Sequence, residues 1–271
     1  MRLAIAASFP HSSPEEWARL HREAGLSAVV FPLNWRADVS SIDRYAKAAE
    51  AEDLTIAEVG VWCNPFDPDE KKALANRENC LRSLELAEYV GASCCVNISG
   101  ADGEVWDGSY PGNYSEAMYE RIVSFLRDLL DKVRPVRTRY TLEPMPHMLP
   151  DSPASYLELI RDVDRPGFAA HVDLVNMVTS PRTFYHNREL AEETFRLLGP
   201  YIRSCHIKDA VLDHGLTVSI REVECGTGGI DLACYIREAD RLDPGLPMII
   251  EHLPALADYQ RAVRYVKGLT P

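Results

Sequence analysis

A single (β/α)8 barrel over residues 1–271, with its active site at the carboxyl ends of the strands, is the fold the sequence predicts. Three observations carry that expectation. Strand-like apolar runs and amphipathic helical stretches alternate along the whole chain. The length of 271 residues suits one such barrel, and no shift in composition marks a second domain. Four successive apolar runs in the second half each finish on an acidic or imidazole side chain. An open doubly wound sheet would share the alternation. No Gly-x-Gly-x-x-Gly follows the first strand, however, and eight strand–helix units favour closure.

Taken in order, Leu3–Ser8 reads as the first strand. Ser12-Ser13 then supplies a hydroxyl cap for a helix opening at Pro14, with Glu15 and Glu16 in its first turn. Ala28–Phe31 is the second strand, and Asp43–Glu52 the second helix. Thr55–Val61 follows as a strand. Asp69–Val90 carries Leu74, Leu81, Leu84, Ala87 and Val90 at helical spacing and stops at Gly91. Ser93–Ile98 is the fourth strand, and Ser115–Val133 an amphipathic helix stopped by Pro135. The last four strands run Arg139–Pro144, Phe168–Asp173, Ile202–Asp209 and Leu246–His252. Their helices lie near Ser155–Asp162, Glu189–Leu198, Leu232–Leu242 and Asp258–Val266.

Bulk properties exclude several functions. Apolar residues make up 46% of the chain, ample for one large core. A net charge of −12 argues against nucleic acid or an anionic membrane as partner. No apolar stretch approaches the ~18 residues of a membrane span. Met1-Arg2, a short strand and Pro10 do not make an export signal. Seven cysteines, an odd number without paired zinc spacing, read as reduced core thiols of a cytoplasmic protein.

The four strand-end residues are Glu143, Asp173, His206 and Glu251, spaced 30, 33 and 45 residues apart. Each step is about one strand–helix unit, with room for a long loop in the last. Alone, each has an ordinary structural explanation. Together at one rim they place three carboxylates side by side, and a divalent cation relieves their repulsion. Three oxygens and one nitrogen suit Mn²⁺, Mg²⁺ or Co²⁺ better than a thiolate set would, with Zn²⁺ still open. Lys208, two residues beyond His206, shares its side of the strand and is expected to meet an anionic substrate group or a neighbouring acid such as Asp209. His171, two before Asp173, reads as a group behind the ligands or a core histidine. Trp35, Trp62 and Asn64 lie just past the second and third strands, where aromatic faces stack on sugar-like ligands. His147 and Asn176 are placed to hydrogen-bond substrate hydroxyls. Gly226–Asp231 has the look of a phosphate cradle but reads as a turn into a helix capped by Asp231.

Leu142-Glu143-Pro144, His171-Val172-Asp173, His206-Ile207-Lys208-Asp209, Gly226-Thr227-Gly228-Gly229-Ile230-Asp231 and Ile250-Glu251-His252 resemble the xylose-isomerase-like TIM-barrel superfamily of sugar isomerases and epimerases, over essentially the whole chain. The resemblance implies one divalent metal ion, often manganese, on Glu143, Asp173, His206 and Glu251, with Glu143 and Glu251 also moving protons. Departures are specific. Ketose 3-epimerases of the family carry a second glutamate, a histidine and an arginine where this chain has Leu149, Asn176 and Leu212. The His-x-Lys-Asp form is closer to sugar-phosphate epimerases and inosose dehydratases, with a looser likeness to 3-oxo-acid decarboxylases.

The expected function is a divalent-metal-dependent isomerase or epimerase of a small polyhydroxy carbonyl compound: a sugar, sugar phosphate or oxidised sugar acid. Glu143 and Glu251 would move one proton through a cis-enediolate. Dehydration and decarboxylation on the same site are the alternatives, followed by a non-catalytic sugar-binding barrel. Endonuclease activity is disfavoured by the acidic charge. The partner is a small sugar-like molecule, and a homo-oligomer is left open.

Overall fold

The computed structural model describes residues 1–269. In chain order its elements are β1 (Arg2–Ile5), α1 (Pro14–Glu23), β2 (Ala28–Val30), α2 (Val39–Ala51), β3 (Thr55–Gly60), α3 (Glu70–Val90), β4 (Cys94–Asn97), α4 (Glu116–Val133), β5 (Tyr140–Leu142), α5 (Pro153–Val163), β6 (Phe168–Asp173), α6 (Pro181–Tyr185), α7 (Asn187–Leu198), β7 (Ile202–Ile207), β8 (Asp209–Leu212), β9 (Ile220–Val223), α8 (Leu232–Leu242), β10 (Pro247–Ile250) and α9 (Leu256–Leu269). Eight strands pair in parallel in the order β1, β10, β7, β6, β5, β4, β3, β2. Helices between them cover the outside of this nearly closed (β/α)8 barrel. Ser27 stitches the remaining seam: its amide donates to Leu3 O at 3.0 Å, and its hydroxyl accepts from Leu3 N at 3.1 Å.

Helix boundaries follow local chemistry. Ser13, Asp69, Ser115 and Asp231 each accept a first-turn amide through the side chain. α3 ends at Gly91, whose φ of 73° is the left-handed turn that glycine favours. α2 starts four residues before the expected Asp43, because Asp38 caps it through Ser41 N. The first strand leaves the sheet at Ile5 rather than Ser8, although Ala6 N still bonds Ile250 O at 2.8 Å. The long loop expected before the last strand contains instead an antiparallel ribbon, β8 with β9. Its strands are only half apolar and its tip exposes Leu216 and Val218, so periodicity did not reveal it. Among the described residues no helix is long and apolar enough to cross a membrane.

The main core lies between the helices and the barrel, and takes in Trp17, Leu84, Leu126, Leu142 and Tyr235. A smaller cluster of Ala4, Ala28, Ala57 and Ile249 lies apart from it, one residue each from β1, β2, β3 and β10. One buried polar group from α5 ties together the strands that carry the site. The Tyr156 hydroxyl donates toward Leu142 O at 2.7 Å and accepts Leu142 N at 3.0 Å and His171 N at 3.2 Å. It thus joins β5 to β6 directly below Glu143 and Asp173, where the β6/β7 register shifts between Ala170 and His171. Tyr156→Phe removes a buried hydroxyl that bonds both strands, at Leu142 and at His171. The expected loss is about 1–3 kcal/mol of stability, read as a lower urea midpoint with an unchanged slope.

Candidate metal centre at the carboxyl ends of the strands

Glu143 and Glu251 are the first residues beyond β5 and β10, Asp173 closes β6, and His206 sits in β7. These four strands are consecutive in the sheet. Glu143 N still bonds Asn97 O at 2.8 Å, and Asp173 is paired with His206 in register, so the rigid sheet rather than a loop positions these side chains. One donor atom from each of the four lies within 4.8 Å of the other three. His206 Nδ1 is 3.0 Å from Glu143 Oε1, 2.9 Å from Glu251 Oε1 and 3.8 Å from Asp173 Oδ2. All four residues are buried.

Lys208 completes the cluster. Its Nζ lies 2.7 Å from Asp173 Oδ2, 2.8 Å from Glu251 Oε1, 3.3 Å from Glu222 Oε1 and 3.8 Å from Glu143 Oε1, and it donates to Asn176 Oδ1 at 3.2 Å. The partner suggested by sequence, Asp209, turns elsewhere. Its carboxylate accepts Gly226 N and Gly228 N at 2.9 Å and Ile230 N at 3.2 Å. The glycine-rich turn that looked like a phosphate cradle is therefore filled by the chain's own anion, and leads into α8 as expected.

Charge and burial split the titrations. Burial pushes Glu143 up to about 7, against the pull of His206 and Lys208. Burial also opposes ionisation of Glu251, but His206 and Lys208 outweigh it and hold this carboxyl at about 2. Asp173 is likewise buried, yet Lys208 and then His206 keep it well below the usual carboxylate range. Burial would discharge His206, but Glu251, Glu143 and Glu58 raise it well above an ordinary histidine. Lys208 is raised in the same way by Asp173, Glu251, Glu143 and Glu222, despite its burial.

The donor set fits a divalent cation. Asp173 Oδ2 and Glu251 Oε1 are buried and receive no hydrogen bond of proper direction, although the Lys208 ammonium is close to both. Three hard oxygens and one imidazole nitrogen, two of the oxygens unsatisfied, are what such an ion would take up.

Glu143, Glu251 and Lys208 line a cavity of about 530 Å³ whose walls also include Trp62, Trp106, Met145, Asn176, Glu222 and His252. A slightly larger groove beside Arg2 and Asp53 brings no comparable set of donor groups together. Of the residues singled out in the sequence, Trp62, Asn176 and Lys208 reach this cavity, and Asn176 Nδ2 also bonds Glu143 Oε1 at 3.2 Å. Trp35 donates to Asn79 Oδ1 at 2.8 Å in a separate groove by α2 and α3. Asn64 is fully buried and ties Ala101 O to Phe66 N. His147 contacts Asp107 O at 2.7 Å, and His171 contacts Ser204 Oγ at 2.6 Å inside the barrel. None of these four lines the cavity.

Sequence reasoning missed Trp106, Glu222 and Glu58. Trp106 and Glu222 belong to a long loop and an unread ribbon, and carried no signal. Glu58 had one: a carboxylate inside the apolar run Ile56-Ala57-Glu58-Val59 has to face something polar.

A family model described as xylose isomerase-like TIM barrel matches residues 18–269. A search of curated proteins gives no significant match. Among solved structures, a xylose isomerase-like TIM barrel protein from Mycobacterium smegmatis in complex with magnesium is 19% identical, with 94% of this chain and 87% of that one covered and a TM-score of 0.69. The 3-keto-D-glucoside 4-epimerase of E. coli, in its apo form, is 15% identical over 99% of each chain, with a TM-score of 0.72. Endonuclease IV from Thermus thermophilus is 14% identical over 99% of this chain and 98% of its own, with a TM-score of 0.75. At such identities these likenesses speak for the fold.

Metal uptake should be coupled to proton release with a defined sign. Asp173 and Glu251, held low, are already ionised at neutral pH. Glu143 carries a proton below about pH 7, and the surrounding carboxylates hold His206 toward its protonated form. Both must lose it to ligate. Calorimetry of Co²⁺ binding in buffers of differing ionisation enthalpy should give more protons released per ion below pH 7, where Glu143 is protonated, than above it. Affinity should therefore rise with pH throughout, and more steeply below 7. A pH-independent affinity contradicts this reading.

Proposed function

The chain belongs to the xylose isomerase-like TIM-barrel family, and from that membership and the site's geometry we propose a divalent-metal-dependent isomerase or epimerase of a small polyhydroxy carbonyl compound. One observation carries the proposal. Glu143 and Glu251 bring their oxygens to 3.0 and 2.9 Å of the same His206 nitrogen, on the floor of a cavity sized for a sugar. Glu143, Asp173, His206 and Glu251 would hold the ion, with Mn²⁺ the best match and Mg²⁺, Co²⁺ or Zn²⁺ the alternatives. Bound there, it would polarise a substrate carbonyl and a neighbouring hydroxyl and acidify the carbon between them. One of Glu143 and Glu251 removes the proton from that carbon, and the other returns it. Asn176 orients a hydroxyl, while Trp62 and Trp106 cover an apolar ring face and exclude water.

Lys208 narrows the substrate class. Its charge is already matched by Asp173, Glu251 and Glu222, and no arginine lines the cavity. A neutral sugar or its oxidised form fits this wall better than a phosphate or an acid. One observation favours a second reading, dehydration. Glu222 Oε2 lies 2.8 Å from His252 Nδ1 and raises that imidazole. A charged His252 at the cavity wall could protonate a departing hydroxyl. The seven cysteines are all free, which suits a reducing compartment such as the cytoplasm.

The test is a panel of ketoses, aldoses, 3-oxo sugars, their phosphates and their acids, incubated in D₂O with Mn²⁺-loaded protein. Isomerisation adds solvent deuterium and otherwise conserves mass, whereas dehydration loses water and decarboxylation loses carbon dioxide. Silence across the panel, with no deuterium exchange, would reject enzymatic proton transfer.

Glu251→Gln keeps the shape but not the basicity. Turnover is expected to fall by about 10²–10⁴, more than stability does, with the thermal midpoint and metal content measured on the same sample. Near wild-type turnover with metal bound would remove Glu251 as an essential base. Lys208→Met should act differently. Breaking a buried ion pair costs about 3–5 kcal/mol, so unfolding in EDTA should come markedly earlier. Metal should restore part of the loss, and kcat/KM should not fall selectively for anionic substrates. A selective fall with an unchanged melting temperature would make Lys208 a substrate contact instead.

A further inference from the structure

The barrel wall facing His206 carries a carboxylate with no role so far. Glu58, on β3, is 3% exposed, and its Oε2 receives no hydrogen bond. Two imidazoles face that oxygen, His206 through Nε2 at 3.6 Å and His171 through Nδ1 at 3.9 Å. β3 and β7 are not neighbours in the sheet, since β4, β5 and β6 lie between them. Glu58 therefore reaches toward His206 through the barrel interior. A buried carboxylate oxygen with no donor is costly, and a sheet strand holds this one in place.

The two imidazoles are not equivalent. His171 Nδ1 is committed to Ser204 Oγ at 2.6 Å. His206 turns Nδ1 toward the oxygens of Glu143 and Glu251. To offer the Nδ1 lone pair to a cation, the ring must keep its proton on Nε2. That N–H faces Glu58 Oε2.

We propose that Glu58 is the positioning residue of the metal centre: a carboxylate that fixes the tautomer and ring plane of His206 from across the barrel and strengthens its Nδ1 as a donor. The inference rests on the reading that Glu143, Asp173, His206 and Glu251 bind a divalent ion. The present 3.6 Å exceeds a hydrogen bond, and a movement of about half an ångström closes it. Nothing else bonds that oxygen. The role also accounts for a carboxylate inside an apolar strand, which packing alone would replace by leucine.

The test compares wild type, Glu58→Gln and Glu58→Leu by three measurements: Co²⁺ affinity, the visible spectrum of the Co²⁺ complex, and thermal unfolding in EDTA. Leucine should weaken Co²⁺ binding about 10- to 100-fold and shift the visible bands. Glutamine keeps an acceptor but not the charge, so it should fall between. Unfolding of the metal-free variants should shift little, because this oxygen faces His206 at 3.6 Å without a hydrogen bond. Wild-type affinity and spectrum in Glu58→Leu overturn the proposal, as does a loss of affinity matched by an equally early unfolding in both variants. If Glu58→Leu does not fold, Glu58→Gln decides through the same readouts: a several-fold weaker affinity with shifted bands supports the role, and unchanged values overturn it. Wild-type protein that takes up no Co²⁺ overturns the metal centre and this inference with it.

Discussion

Four carboxylates crowd one ammonium and one imidazole at the top of this barrel, and that electrostatic knot governs the structure around it. Glu143, Asp173, Glu222 and Glu251 all approach Lys208 Nζ within 4.0 Å, and three of them also approach His206 Nδ1. Such charges interact strongly where water is scarce, so small displacements are expensive in either direction. Loops would not hold them. The sheet does, because Asp173 and His206 lie within strands, and Glu143 and Glu251 continue the hydrogen-bonding of theirs. Tyr156 then locks the β5/β6 edge from below with one hydroxyl. The helix that supplies it serves the site as much as the core.

How much of this the sequence disclosed depends on direction more than on position. Glu143, Asp173, His206 and Glu251 were legible because a strand end fixes both where a residue lies and which way it points. Trp35 and Asn64 follow strands at the same rim, yet past a strand the chain is free to turn. Asn64 turned inward to brace its own loop, and Trp35 turned toward α3. Trp62, with a positive φ of 50°, was swung onto the cavity instead. No periodicity encodes such a turn. Glu58 stayed hidden for the opposite reason: it sits in regular strand, and its partners are β6 and β7 residues across the interior, far away in sequence.

The β8/β9 ribbon links the carboxylate cluster to the rest of the rim. Lys208 and Asp209 are adjacent, but their charges serve opposite ends of the same device. Asp209 gathers the amides of Gly226, Gly228 and Ile230 and so anchors the chain where it leaves the ribbon. A side chain at Gly228 would strike the Asp209 carboxylate at 2.1 Å, so glycine is required for that closure. With its base fixed, β9 delivers Glu222 to both Lys208 and His252. Lys208 is thereby shared between the carboxylates at the strand ends and an element outside the barrel.

That sharing bears on specificity. A lysine at the rim of a cavity would ordinarily be read as an anion receptor. Here, three carboxylates neutralise it at 2.7–3.3 Å before any substrate arrives. Recruiting it for a phosphate would mean breaking buried ion pairs, which costs more than one exposed substrate charge returns. The remaining wall offers two tryptophan faces, a methionine, an amide and the Glu222–His252 pair. Those groups offer stacking faces and hydrogen bonds, with Glu58 and Asp107 on the same wall. The ribbon that supplies Glu222 is thus what completes the neutralisation of Lys208.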